Sequence, residues 1–427
     1  MKVAILTMFN GLSNTYSLVN VVSEQLKMLL KDNIEVKMLV SEHCPDIERT
    51  GIFADKRIEW IKITNSFNGK SFHWITYSKA DDKISDSFFL EANIIAKDLV
   101  ANLQDVSVCI MHDILYQGVH LLHNVAIRIA QQSLKALKFL AFTHSAPATH
   151  IVAPYPINCM YKDMPNTTFI YPTACGLLAL AKQYDVDVSR CKCIGNSIDI
   201  TIGLHAQTKS LLEKTNFLKK EILIVYPARL TMAKRFHIIA ELSGVIKQYH
   251  KKSVGVIFCD FASADIDSNM YKGIVKEIAR QNSITKDELV FTSDLGFKDG
   301  VYRETVFDLF SLSNLFICPS YSESFGLTVI EAAARGNFIV LNEAVPALKE
   351  VGQTLNAYFM RWGARNFDFE TNEQYHPSER HYYIEHTNKI LSQMELNPVI
   401  HSKTLARTRY QNDWIYENQL KPLLLMQ

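Results

Sequence analysis

The chain has no apolar tract approaching the length of a membrane helix, no excess of either charge, no C-x-x-C pair, no internal repeat and no low-complexity segment. Each absence narrows the function. A spanning helix needs about 20 consecutive apolar residues, and none is found. Lys and Arg number 45 against 44 Asp and Glu, balanced also within each half. That balance supplies neither the basic field that attracts nucleic acid nor one suited to an anionic membrane surface. The eight cysteines lack zinc spacing. Cys109, Cys259 and Cys318 fall in strand-like runs and read as reduced core residues of a cytosolic protein. Cys191 and Cys193, two apart, share a strand face for packing. The opening MKVAILTMFNG has a short apolar run and no small-residue cleavage site, so it reads as a first strand rather than a signal peptide. The turn after it lacks a full G-x-G-x-x-G, which disfavours NAD.

What is present is organised around residues 314–340, NLFICPSYSESFGLTVIEAAARGNFIV. Residues 315–318 predict a buried strand, 319–326 a loop, 328–335 a helix and 338–340 the next strand. This is one βαβ unit, with Gly336 where a helix C-terminus takes a left-handed residue. The loop is rich in small residues (Ser320, Ser322, Ser324, Gly326). It aims backbone N–H groups and the positive end of the helix dipole at one spot, which suits a phosphate. Glu323 and Glu331 frame that spot. Beside a phosphate a carboxylate is repelled, but it can accept hydrogen bonds from hydroxyls flanking the phosphate, on a sugar or a ribose. Glu331 also has a local explanation, because Thr328-Val-Ile-Glu331 reads as a capping box. Glu323 has none.

The run PS-x-x-E-S-FGL-x-x-x-EA, with Glu323 and Glu331 as its Glu-x7-Glu pair, resembles the signature of retaining nucleotide-sugar glycosyltransferases of family four. The resemblance implies an α/β fold of GT-B architecture: two facing Rossmann-like, doubly wound domains with a C-terminal helix crossing back to the first. Residues 1–203 would form the acceptor-side domain, 204–400 the donor-side domain and 401–427 the crossing helix. A length of 427 residues independently suits two domains of roughly 200 residues each.

The rest of the chain is read in order. Strand (3–7), turn (10–13), helix (16–31) and strand (34–40) make a doubly wound opening. Extended pieces follow near 58–63 and 72–77, then a helix at 88–102 and a strand at 106–111 ending in His112-Asp113. A helix at 119–135 leads to a strand at 139–142 ending in Thr143-His144-Ser145. Both histidines lie at strand C-terminal ends, where open α/β sheets bind ligands. THS resembles the family's T-x-H-G segment facing the donor sugar, which implies catalytic duty for His144. His112-Asp113 resembles the H-x-H-D strand end. The proline-rich loop 146–166 carries Tyr155, Tyr161 and Lys162 for an acceptor, and Asn196 with Asp199 matches part of P-N-G-V-D at the domain junction. In the second domain, strand 221–226 is followed by Arg229 and Lys234, which resemble the G-R-L-x-x-x-K cations that grip the nucleotide diphosphate. Residues 293–299, after Thr292, stand where the family holds its base. Residues 342–351 stand in place of a Gly-Gly loop, with Glu350 as the one counterpart. The tail 405–425 is helical, and Trp414 is expected to pack near the domain junction.

Transferred residue by residue, the resemblance implies catalytic roles for His144, Glu323, Arg229 and Lys234. It implies donor contacts at Gly11, Arg229, Lys234, Thr292, Ser324, Phe325, Gly326, Leu327, Thr328 and Glu331. The expected partners are a nucleotide-sugar donor and a hydroxyl acceptor (glycan, lipid-linked, protein or small molecule), with no nucleic acid. The expected location is cytoplasmic, with peripheral membrane contact where the acceptor is lipid-linked. The oligomeric state is open. No cofactor and no metal is expected, since Asp185-Val-Asp187 and Asp265-Ile-Asp267 fall at helix-end or loop positions. The chain departs from the family pattern at the amino-terminal glycine loop (Asn10-Gly11-Leu12), at Ser197 and at Phe338. Two other classes remain: a GT-B enzyme of other chemistry, such as a phosphorylase or sugar-nucleotide epimerase, and a non-catalytic nucleotide-sugar binding protein. For the transferase, no side chain in the motifs is an obvious nucleophile. The leaving phosphate oxygen would take the acceptor's proton on the same face, and the protein would position and stabilise the departing diphosphate.

Overall fold

A computed structural model describes residues 1–67, 70–71, 84, 86–262, 268–365, 371–373 and 379–426. The extended piece expected near 72–77 and the Asp265-Ile-Asp267 triplet lie outside them. The chain divides into two compact units: unit 1 is Met1–Asp199 with Tyr410–Gln427, and unit 2 is Ile200–Arg409.

Unit 1 carries a seven-stranded sheet. Its elements, in chain order, are β1 (Lys2–Leu6), α1 (Ser17–Lys31), β2 (Glu35–Ser41), β3 (Ile58–Ile63), α2 (Asp86–Leu103), β4 (Val108–His112), α3 (Leu121–Gln131), β5 (Lys138–Phe142), β6 (Thr167–Tyr171), α4 (Leu177–Tyr184) and β7 (Cys191–Cys193). The strand order is β3-β2-β1-β4-β5-β6-β7, and every pairing is parallel. Both faces are covered, as parallel sheets require. Along β1, Val3 and Ile5 enter the core formed with α1, while Ala4 and Leu6 enter the one formed with α2 and α3. That two-residue alternation is why an unbroken apolar run here makes a strand.

Unit 2 repeats the plan with β8 (Ile222–Arg229), α6 (Phe236–His250), β9 (Val254–Phe261), α7 (Ser268–Gln281), β10 (Leu289–Phe291), α8 (Arg303–Leu312), β11 (Leu315–Cys318), α9 (Leu327–Ala334), β12 (Phe338–Asn342), α10 (Pro346–Thr354) and β13 (Tyr358–Met360), preceded by α5 (Ala206–Glu213). Its order is β10-β9-β8-β11-β12-β13, again all parallel. Chain order reverses between β8 and β11, the position at which open α/β sheets form a ligand crevice. The two Rossmann-like α/β units expected from the sequence are therefore present.

Two local expectations are corrected. Residues 342–351 are mostly helical: after a turn at 343–345, Pro346 opens α10 as its first residue, a position where its missing N–H costs nothing. Glu350 lies exposed on that helix. The tail is not one helix. Pro398–Arg409 closes unit 2, Ile198 and Gln411 form a β-bridge, and a π turn over Tyr416–Leu420 joins Asn412–Ile415 to Lys421–Leu425. This last stretch belongs to unit 1. Ile415, Tyr416, Leu420, Leu423 and Leu424 are buried in the α1 core, and Trp414 packs half-buried against it. Tyr416 Oη donates to Asp32 Oδ2 at 2.7 Å, and Lys138 Nζ donates to the Leu423 carbonyl at 2.9 Å.

Candidate functional site

In unit 2 the site is built at the β8/β11 crossover. β8 runs on to Arg229, three residues past its expected end, so Arg229 closes the strand at the ligand edge and is exposed. A single 3-10 turn, Met232–Lys234, follows. The loop after β11 is fastened to this turn. The Tyr321 N–H donates to the Ala233 carbonyl at 2.9 Å. The Tyr226 hydroxyl donates to the Lys234 carbonyl at 3.0 Å and lies 3.2 Å from Ser320 Oγ. The Arg235 guanidinium lies over the Tyr321 ring at 3.5 Å. Arg235 itself sits at φ +52°, a strained backbone for a non-glycine residue that these contacts hold in place. Ser320 is fully buried and its carbonyl accepts from Asn342 Nδ2 at 3.0 Å. The result is a fixed platform on which Lys234 Nζ donates directly to Glu323 Oε1.

α9 then begins one residue earlier than expected. Gly326, at φ +86°, is its N-cap, and no side chain caps the terminus. A Cβ on residue 326 would come within 3.0 Å of Val329 Cγ2 and 3.2 Å of Leu348 Cδ2, so both the backbone angle and the packing call for glycine. The capping box expected from Thr328 and Glu331 does not form, because Thr328 is inside the helix. Glu331 instead accepts from Arg303 Nη2, at the start of α8, at 2.9 Å. The Val329 N–H is taken by the Gly326 carbonyl at 2.9 Å, and the N–H groups ahead of it lie at the positive dipole end. Around them Phe325 and Leu327 stand exposed and Ser324 faces solvent. The structure thus gathers Lys234, Glu323, Ser324, Phe325, Gly326, Leu327, Thr328 and Glu331 on one loop–helix junction, with Arg229 at the neighbouring strand end.

Thr292 is placed differently. It is fully buried and its hydroxyl donates to Asp260 Oδ1 at 3.3 Å. The Ser293 hydroxyl donates to Asp260 Oδ2 at 2.6 Å, and Lys272 Nζ stands 3.5 Å from the same oxygen. The side chain of Thr292 is spent on holding Asp260.

In unit 1, His112 ends β4 and His144 follows β5. His112 Nδ1 and His144 Nε2 are 2.9 Å apart, and His112 Nε2 is 2.9 Å from Gln25 Oε1 on α1. Burial, then the neighbouring His144, hold His112 well below the usual imidazole pKa. Burial also lowers His144, against a raising pull from Asp113. Asp113, at φ +60°, accepts from the His144 backbone N–H at 3.1 Å and from the Tyr116 hydroxyl at 2.6 Å. Burial, then this Asp113 contact, push the Tyr116 phenol up to about 12. Gly11 lies in a loop closed by a carboxylate: Glu48 Oε2 accepts from the Leu12 N–H at 2.5 Å and would stand 3.0 Å from a Cβ at Gly11. In the 146–166 loop, Tyr155 stacks on Phe89 at 5.8 Å, while Lys162 is exposed. Asn196 is exposed, and Asp199 pairs with Lys27 at 3.1 Å.

Sequence reasoning missed Gln25, Glu48, Asp260 and Arg303. Each acts on a residue far along the chain, and none lies in a motif. Among the described residues no group of three or more His, Cys, Asp or Glu could hold a metal ion, and no helix is long and apolar enough to cross a membrane.

Residues 207–359 match the family of glycosyl transferases group 1, a region that contains the whole unit 2 site. No curated protein matches the chain. Solved structures with similar chains include a glycosyltransferase from Rickettsia africae ESF-5 (13% identity, TM-score 0.35, 99% of this chain and 97% of that one). Another is Alr3699/HepE from Anabaena in complex with UDP and glucose (13%, TM-score 0.35, 100% of both chains). A third is a sucrose-phosphate synthase from Thermosynechococcus elongatus (13%, TM-score 0.35, 99% and 98%). At these scores they stand as likeness only.

Proposed function

We propose that this protein transfers a glycosyl group from a nucleoside-diphosphate sugar to an acceptor hydroxyl, with retention of anomeric configuration. The observation that carries this reading is the junction before α9, where cation, carboxylate and open helix terminus meet. Lys234 is held on Glu323 at the entrance of an uncapped helix, and Arg303 holds Glu331 further along it. A diphosphate is met by Arg229, Lys234 and the α9 N–H groups. Glu331 takes ribose hydroxyls and Glu323 sugar hydroxyls. His144 is assigned a sugar hydroxyl in catalysis. No side chain in the motifs is an obvious nucleophile, and the departing phosphate oxygen accepts the acceptor's proton while these groups stabilise its charge.

No cofactor or metal takes part in this scheme. The acceptor is a glycan, lipid-linked, protein or small-molecule hydroxyl, and the setting is the cytoplasm, at a membrane surface if the acceptor is lipid-linked. The test is a panel of nucleoside-diphosphate sugars screened by thermal shift and by release of nucleoside diphosphate, with the product anomer read by NMR. Stabilisation by at least one donor and an unchanged anomer are expected. Failure to bind any donor, turnover that depends on free phosphate, or an inverted product would each overturn the reading.

A further inference from the structure

Gln25 lies on α1 and is 5% exposed, and His112 is 2% exposed. Neither faces solvent, yet the Gln25 amide oxygen and both His112 ring nitrogens join one chain of contacts ending at His144. The chain has a direction. The Gln25 carbonyl oxygen only accepts, so the hydrogen in its 2.9 Å contact belongs to His112 Nε2. A neutral imidazole carries one N–H. His112 Nδ1 is then the acceptor in the second 2.9 Å contact, and its hydrogen belongs to His144 Nε2. The Phe142 ring lies against both imidazoles, 4.9 and 6.0 Å from their centroids, and fixes their planes. Burial keeps His112 uncharged near neutral pH, so the direction is not lost by double protonation. The carboxylate next to this pair, Asp113, is engaged by the His144 backbone N–H and the Tyr116 hydroxyl.

We infer that Gln25 is a positioning residue which, through His112, fixes His144 in the Nε2–H tautomer and leaves its Nδ1 as a hydrogen-bond acceptor for a substrate hydroxyl. The substrate's identity rests on the proposed transferase reading; the tautomer does not. A histidine in this state accepts a proton-bearing hydroxyl and cannot donate to an ether or carbonyl oxygen. It therefore selects a free hydroxyl at the sugar position it meets, and a donor that is deoxygenated or O-methylated there is rejected.

The experiment uses the full chain labelled with 15N-histidine. Long-range proton–nitrogen correlation near neutral pH reads the tautomer of each ring, and His112→Gln and His144→Gln assign the signals. The wild-type chain is expected to show Nε2–H for both rings. Gln25→Leu is expected to release His112 and turn the His144 pattern into a tautomeric mixture. The same variant should lower kcat by roughly tenfold, the cost of one misdirected hydrogen bond, with nucleoside-diphosphate affinity unchanged. A wild-type His144 carrying its hydrogen on Nδ1 overturns the inference, as does a pattern that Gln25→Leu leaves unchanged. If Gln25→Leu does not fold, the wild-type spectrum decides alone. Absence of transferase activity with every donor would sink the functional reading and leave the tautomer result standing.

Discussion

Arg303 Nη2 donates to Glu331 Oε1 at 2.9 Å, across 28 residues of chain. The arginine side chain is 73% exposed and the glutamate 19%. An ion pair this open contributes little to stability, about 0–1 kcal/mol. Its effect is on direction. It holds one carboxylate oxygen of Glu331 from the start of α8, and on the proposed reading this would orient the group for the ribose before the donor arrives.

Glu331→Gln should weaken binding of the free nucleoside diphosphate and of the whole donor alike, by roughly 1.5–3 kcal/mol for a lost charge-assisted bond. Arg303→Met should weaken both by less, and the double variant should lose less than the sum of the two. Calorimetric titration of the nucleotide checks this. Additive losses would show that the two residues act separately.

Glu323 should behave differently. It is bonded to Lys234 rather than to anything on α9, so Glu323→Gln should leave nucleotide affinity nearly unchanged and lower turnover. Equal loss of nucleotide affinity in Glu323→Gln and Glu331→Gln would defeat the division of labour between them.

How far the sequence disclosed this site follows from the reach of each interaction. The strand–loop–helix–strand order around Glu323 was legible because buried strands and the small-residue loop leave local patterns. Gly336, at φ +70°, was legible for the same reason. The capping box was misjudged because a closer cap, Gly326, and a distant partner, Arg303, both outcompete the local one. Pro346 was a readable helix start that the expectation of a glycine loop hid. Gln25 could not be found, since a buried polar residue on an amphipathic helix gains its meaning only from His112, 87 residues away. Thr292 was placed at the right edge, but its partner Asp260, which turns it inward, is set by strand register.

Acid should destabilise the protein through histidines buried without charge. Burial, and then the nearby His120, lower His123 to about 3, and neither of its ring nitrogens has a hydrogen-bond partner among the described residues. Burial also lowers His120 and His237 to about 4. A depressed histidine pKa means that the unfolded chain binds more protons. Stability is then complete above the unfolded value of about 6.5 and falls as pH drops toward the folded value, by up to about 1.4 kcal/mol per pH unit for each residue. His123→Leu removes one such group and strands no hydrogen-bond partner. Urea midpoints at about pH 7 and about pH 5 should differ less in this variant than in wild type. An unchanged difference would mean that His123 is not held neutral.

The carboxyl-terminal stretch should be part of the unit 1 core. Leu420 is 1% exposed there. Leu420→Ala should cost about 2–5 kcal/mol, the range for large-to-small changes in a packed core. Asp32 accepts from Tyr416 and pairs with Lys421 at 3.2 Å. Asp32→Asn should cost less, because that pair is partly exposed. Denaturant titration of both variants checks the order. A Leu420→Ala protein as stable as wild type would show the tail to be dispensable.

Finally, donor cleavage should proceed without a divalent ion. The diphosphate gains negative charge as the glycosidic bond breaks, and positive groups must already be in place to meet it. The junction supplies three kinds. Arg229, at the end of β8, can hold two phosphate oxygens at once, Lys234 acts as a point charge, and the α9 terminus offers N–H groups with the dipole behind them. On the proposed reading Lys234 would be shared between Glu323 and the phosphate, with the donor giving Glu323 sugar hydroxyls in exchange. Arg229→Ala and Lys234→Ala should therefore each slow transfer far more than they lower the melting temperature. The loss should appear mainly in kcat, since the charge they meet is largest in the transition state. Initial rates after exhaustive EDTA treatment, with and without added magnesium or manganese, give the direct measurement. Rates unaffected by either treatment are expected. Activity that disappears in EDTA and returns with the metal would mean that an ion, not these side chains, carries the leaving group's charge.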